Sequence, residues 1–318
     1  NFSNPSALNT DQVMDNIEPN QMVISYHLGK ARMTVFVIVN DEFYFFDNPL
    51  SEDTIEKLVS EFRENFDIYS DLYSFDYNLA YKLYELLFPF PKELFLNVEE
   101  LTIVPSGPLL SLPFAALITN PNYNSFEEPS WLIKQFPISY LPSINSIDLL
   151  SYKTYNTNFN SFVGFGDPIF DNYEFNNTRG VYNDLLLADL FTPLPETKDE
   201  LEQISRSLGV NPKESLYLGH DARESVVKSL DLFDKNIIMF ATHGIISGDL
   251  SNIYEPGLIL SQPSTPSEFD DGVLTSSEIM DLYLNADWVL LSACNTAAGE
   301  NENSNGLSGL AKSFFYAG

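Results

Sequence analysis

Apolar and polar positions change rhythm along this chain of 318 residues. The early part reads as strands first and helices second. Met22–Tyr26, Met33–Val39 and Glu42–Phe46 are short runs of β-branched and aromatic residues, split by the turn signals HLGK and ND. A helix is predicted from Ser51, an N-cap with Glu52 and Asp53 in its first turn. A second carries Phe75, Leu79, Leu83, Leu86 and Leu87 at helical spacing and stops at Phe88-Pro89-Phe90-Pro91. Leu101–Val104 reads as a buried strand before the turn Pro105-Ser106-Gly107-Pro108, and Pro137–Leu141 as a short extended run. Ser143 is placed to cap a helix that carries Ile147, Leu149 and Leu150.

The polar stretch Ser151–Asn160 is the best linker candidate, and Asp167–Asn177 reads as a loop. Beyond the linker, strands and helices alternate. Phe162–Phe165, Ser215–Leu218, Ile237–Phe240, Gly257–Leu260 and Trp288–Ser292 read as strands. Thr197-Lys198-Asp199-Glu200 and Thr275-Ser276-Ser277-Glu278 read as capping boxes, the first opening a helix that ends at Gly209 and the second one that runs towards Leu282. Asp221 is placed to cap a helix through Leu230, and Gly306 to Tyr316 reads as a final helix. Apolar strands alternating with capped helices predict an α/β fold with a parallel sheet covered on both faces. The expected division is residues 1–155 and 156–318.

Composition narrows the class. The chain is 44% hydrophobic, enough for a sizeable core, yet no run of about 18 uncharged apolar residues occurs, so a membrane span is not expected. A single Cys excludes an internal disulfide framework and suits a reducing, cytoplasmic setting. The first residues lack an initiator Met and the basic and apolar parts of a signal peptide, so the expectation is a piece of a longer protein. With 16 basic against 45 acidic residues, spread over both halves, direct nucleic-acid binding is disfavoured and basic partners are favoured. One Cys and three scattered His make a metal site improbable, and no cofactor is expected; Gly164-Phe165-Gly166 lacks the third Gly of a dinucleotide loop. His27 and His220 read as surface residues in turns.

The sole Cys, Cys294, and one of the three His, His243, each lie just past an apolar strand-like run: NIIMFATHG and WVLLSAC. Ligands of open parallel sheets bind beyond the carboxyl ends of the strands. If the two strands are parallel neighbours, both side chains emerge at one sheet edge. An imidazole beside a thiol takes its proton or stabilises the thiolate, then protonates the leaving amine. The backbone N–H groups of Gly244 and Cys294 are candidates for an oxyanion hole. On spacing alone the plain alternative stands: a small buried Cys and a structural His.

Several further blocks run in register. ATHG, LILS, DGVLTSSEI and LSACNTAAGE…GLSGLAKSFFYAG, preceded by IVPSGPLLSLPFAAL, SYLPSINSI, GFGDPIF and LPETKDELEQIS, resemble the signature blocks of the CHAT family of caspase-like cysteine peptidases. The resemblance implies a caspase–separase-like three-layer α/β/α sandwich with a mostly parallel sheet, preceded by a catalytically silent, pseudo-protease half. It implies His243 and Cys294 as catalytic dyad, with Gly244 supplying an oxyanion N–H. It also implies a regulated endopeptidase with a specific protein target, fused to or associated with a regulatory module such as helical repeats, in bacterial antiviral defence or cell death. In the family the chain continues past the helix ending at Gly318 into further strands, which are missing here.

Between Asn236 and Ala311 there is no Lys or Arg, while Asp249, Glu255, Asp270, Asp271, Glu300 and Glu302 are among ten acidic residues. A negative field there favours a basic substrate segment. A solvated acidic surface without a role in selection is the alternative. A docking module without catalysis is the other function class that the sequence leaves open.

Overall fold

The computed structural model describes residues 9–66, 75–121, 129–147, 161–170, 191–245, 255–267, 269–292 and 305–318, with backbone alone for 305–308. These fall into two compact units, Asn1–Lys153 and Thr154–Gly318.

In the first unit a short helix α1 (Thr10–Met14) precedes a meander of β1 (Gln21–Leu28), β2 (Met33–Val39) and β3 (Glu42–Asn48). The β2–β3 turn places Asn40 and Asp41 at positive φ, a conformation their short polar side chains tolerate. α2 (Glu52–Arg63) starts where Ser51 accepts the Thr54 amide, and α3 (Tyr77–Leu87) where Asp76 accepts that of Leu79. β4 (Glu100–Val104), α4 (Leu132–Gln135) and β5 (Ile138–Tyr140) follow. The sheet order is β3-β2-β1-β4-β5, antiparallel through β1 to β3 and parallel through β1, β4 and β5. Met22, Ile24, Met33, Val35, Val37, Leu101 and Ile103 occupy one face by strand alternation. They share a core with Ile55, Val59 and Phe62 of α2 and Leu79, Leu83 and Leu87 of α3.

The second unit contains β6 (Phe162–Gly166), α5 (Glu196–Ser207), α6 (Pro212–Ser215), β7 (Leu216–Leu218), α7 (Glu224–Ser229) and β8 (Ile237–Ala241). It continues with β9 (His243–Ile245), β10 (Gly257–Ile259), β11 (Val273–Thr275), α8 (Ser276–Met280), β12 (Trp288–Leu291) and α9 (Asn305–Ala317). The order β12-β8-β6-β7 makes a four-stranded sheet in which every pair is parallel. Helices cover both faces. Phe162, Ile237, Met239 and Ala241 pack with Leu201 of α5, while Val163, Phe165, Ile238 and Phe240 pack with Val227 of α7, Ile279 of α8 and Leu310 and Phe314 of α9. β9, β10 and β11 form a separate antiparallel sheet.

Several boundaries differ from the sequence expectation. Thr197 does not cap α5: the helix starts at Glu196 behind Pro195, and no side chain caps it. Asp221 does not cap α7 either. Residues Gly219–Asp221 form a 3-10 turn, and Ala222 accepts the Ser261 amide, so the chain enters helix only at Glu224. β9 and β11 were not expected at all, because three residues are too few to show a period. Thr275 does cap α8, with both bonds of the capping box formed. The helix expected after Ser143 is described only to Ile147, and the linker Ser151–Asn160 lies outside the described residues.

Two glycines of β6 serve packing. A Cβ on Gly164 would meet a Leu201 methyl at 2.8 Å, and one on Gly166 would meet the other at 2.5 Å. Leu201 therefore seats α5 directly on the strand. A buried polar network holds the far side. Glu224, fully buried, accepts the Asp271 and Gly272 amides at 2.7 and 3.1 Å and pairs with Lys228. Lys228 also reaches Glu278 of α8 at 3.0 Å and the Phe269 carbonyl at 3.1 Å. Burial pushes the Glu224 carboxyl up to about 8, while the Lys228 ammonium and the Asp271 amide pull the other way.

Two outcomes follow for stability. Gly166→Ala is expected to cost about 1–3 kcal/mol in urea unfolding by overpacking, and most of that penalty disappears in a Leu201→Ala background. Lys228→Met leaves Glu224 buried without its cation and is expected to cost about 3 kcal/mol. Because Glu224 has a raised folded pKa, protonation relieves that cost. The penalty is therefore seen above about pH 8, where Glu224 of the wild type is ionised, and is lost as pH falls through that value, as pH-dependent unfolding would read.

Candidate active site

β8 is the apolar run of NIIMFATHG, buried at every position, and it lies between β6 and β12. The chain bends at Thr242, whose hydroxyl donates to the Ile259 carbonyl, and enters β9 at His243. Opposite His243 in the antiparallel ladder stands Ile259, and opposite Gly244 stands Leu258. His243, just past the strand as the sequence indicated, is itself a strand residue of the second sheet.

The imidazole is 3% exposed. Its Nε2 lies 2.8 Å from the Thr192 carbonyl oxygen. A carbonyl only accepts, so Nε2 carries the hydrogen and Nδ1 is left with its lone pair as the basic nitrogen. Phe191 and Phe170, whose rings contact each other at 6.1 Å, pack against the imidazole at centroid distances of 5.2 and 5.9 Å. These two rings belong with Ile245, Ile259 and Val273 to one small apolar cluster. An imidazole with one nitrogen fixed by a backbone acceptor and its ring packed against a pair of touching aromatic rings has a defined tautomer and orientation, which general-base chemistry requires.

β12 pairs with β8 in parallel, Leu291 opposite Phe240, and the Ser292 amide donates to the Phe240 carbonyl at 2.8 Å. Cys294 itself lies outside the described residues. In the sequence it follows Leu291 by three positions, as His243 follows Phe240 by three. His27 and His220, by contrast, are exposed.

At the end of β6, Asp167 turns the chain at φ 50, left-handed for a residue that is not glycine. Burial raises its carboxyl above the ordinary range, against the attraction of Lys198. The described acidic residues of the stretch without Lys or Arg divide by role. Glu255 accepts from the Ser277 amide and hydroxyl, and Asp271 accepts the Val273 amide, so both hold local structure. Asp270 is 7% exposed, and its Oδ1 has no partner among the described residues. Asp249, Glu300 and Glu302 lie outside the described residues.

Thr192, Phe170 and Phe191 were not identified from sequence. Thr192 acts through its backbone, which leaves no side-chain signal, and the bond spans 51 residues. Phe170 does close the block GFGDPIF, which marks the segment without revealing its contact. Among the described residues no helix is long and apolar enough to cross a membrane, and no group of three or more His, Cys, Asp or Glu is arranged to hold a metal ion.

Comparison with curated proteins gives no match. The family model for the CHAT domain matches residues 78–318, the latter half of the first unit from α3 onwards and all of the second. The chain therefore belongs to the CHAT domain family, a caspase-like family of clan CD.

Proposed function

We propose that the chain is a regulated cysteine endopeptidase with a caspase-like sandwich, in which Cys294 is the nucleophile and His243 the general base. One observation carries the reading. β8 and β12 are parallel neighbours in a register that leaves His243 and Cys294 the same three residues beyond a paired position. Neighbouring strands lie about 4.8 Å apart, within reach of a thiol and an imidazole.

In this reading the Cys294 thiol passes its proton to His243 Nδ1, the nitrogen that the Thr192 bond leaves basic. The thiolate attacks the scissile carbonyl carbon, and the carbonyl oxygen takes up the electron pair as an oxyanion. The N–H groups of Gly244 and Cys294 stabilise that charge. The tetrahedral intermediate collapses, the C–N bond breaks, and the imidazolium gives its proton to the leaving amine. Water, deprotonated by His243, then hydrolyses the thioester and returns the thiol.

The first unit serves in this reading as the silent, pseudo-protease half. Its residues contain no Cys, so it has no thiol of its own for the same chemistry. The preferred target is a protein segment with a basic residue at the cut. The net charge of −29 supports this, as does the buried Asp270 with an unpartnered oxygen, since a buried carboxylate favours a cationic partner. Regulation by an associated helical-repeat module, a cytoplasmic setting and a role in bacterial defence or cell death complete the proposal, on the strength of family membership.

Cys294→Ala and His243→Ala are each expected to lower cleavage of the target by roughly 10⁴-fold or more, measured by single-turnover assay. Unchanged cleavage by either variant would instead make this domain a docking module. A peptide library is expected to show Lys or Arg before the cut, a preference weakened in Asp270→Asn. Selection of Asp at that position overturns the basic-substrate reading.

A further inference from the structure

Two separate segments hold the His243 ring. One leaves β6 through Asp167 and brings Phe170 against the imidazole. The other, just before α5, supplies the Phe191 ring and the Thr192 carbonyl. A single side chain joins them. The Thr197 hydroxyl accepts the Asp167 amide at 2.8 Å and donates to the Leu194 carbonyl at 2.7 Å. Thr197 is 6% exposed, so neither bond is exchanged freely for water.

The remaining pins support the same arrangement. The Asp167 carbonyl accepts the Gly219 amide at 3.1 Å, which fixes the left-handed turn from its other side. The Ile169 amide donates at 2.8 Å to the Ser261 hydroxyl, which in turn donates to the Gly219 carbonyl at 2.7 Å. The Phe170 segment is therefore held at several points. The Thr192 segment, whose Thr192 and Pro193 are exposed, is tied by Thr197, through the side chain and through its amide to Leu194 at 3.1 Å.

We infer that Thr197 is a positioning residue for His243: its hydroxyl latches the Thr192 segment to the exit of β6, and so fixes the tautomer and orientation of the imidazole. This explains why a threonine followed three residues later by glutamate does not cap its own helix. The hydroxyl is engaged by the Asp167 amide, 30 residues away, and by the Leu194 carbonyl. The inference rests on the reading of His243 as the base. Its physical content, the fixed tautomer, is measurable whether or not the chain cleaves anything.

The test is histidine-selective ¹⁵N NMR on wild type and Thr197 variants of the full chain, with the imidazole neutral. Only three His are present, which keeps assignment simple. Wild type is expected to show His243 almost entirely as the Nε2–H tautomer. Thr197→Val, similar in size but without the hydroxyl, is expected to show a tautomer mixture for His243. It should also lose about ten- to a hundredfold in kcat with KM little changed, as a small misplacement of a catalytic group does. Thr197→Ser, which restores the hydroxyl, is expected to recover the wild-type tautomer and most of the rate. A wild-type His243 spectrum in Thr197→Val, or a Thr197→Ser variant no better than Thr197→Val, overturns the inference. If Thr197→Val does not fold, Thr197→Ala takes its place; if neither folds, Thr197 is a structural residue and the positioning role is rejected. A fixed tautomer in a chain that cuts nothing would sink the peptidase reading and leave the latch intact.

Discussion

Parallel hydrogen bonding of β8 on both of its edges is the constraint from which the second unit is built. Ile237 stands level with Phe162 of β6 and with Trp288 of β12, so three strands start together and end within one residue of each other. Parallel strands that begin in step deliver their following residues to one rim of the sheet. The exit of β6 at Asp167, the bend into β9 at His243 and the exit of β12 at Ser292 all belong to that rim. Everything in the candidate site is hung from this alignment, and a register shift of one residue would turn every side chain to the other face.

An imidazole buried at this rim has to be compensated. Removing it from water without a hydrogen bond is costly, and a bond of the ordinary kind contributes about 1 kcal/mol net. The Thr192 carbonyl meets one nitrogen, and the paired rings of Phe170 and Phe191 pack against the imidazole at a tilt. The second sheet adds support from beneath, because His243 is itself a rung of the β9–β10 ladder. The Glu224–Lys228–Glu278 network then ties the loop before β11 to α7 and α8, anchoring the far strand of that same sheet.

How far these features could be read in advance depends on their range in the chain. Strand β8 and strand β12 announce themselves as apolar runs, and Ser51 and Thr275 as caps, because those signals lie within a few residues. Thr197 carries the same local signal as Thr275 and behaves differently. At Thr275 the glutamate three residues on completes the box, whereas Thr197 lies inside its helix and its hydroxyl meets the distant Asp167 amide and the nearby Leu194 carbonyl. Asp221 lost its cap role in the same way, to a turn held by Ser261. β9 and β11 escaped notice since three residues show no period, and pairing alone makes them strands.

The sequence alone determined the residue types available for chemistry: one thiol, three imidazoles, an acidic surface and the blocks that resemble the CHAT family. It also determined the alternation of apolar strands and helices, because burial and backbone hydrogen bonding act over short stretches of chain. Tertiary structure decided which hydroxyl caps a helix and which latches a loop, and which carbonyl fixes the tautomer of His243. Those outcomes depend on partners 30 to 51 residues away, and a hydrogen bond forms with whichever group the folded chain brings within about 3 Å.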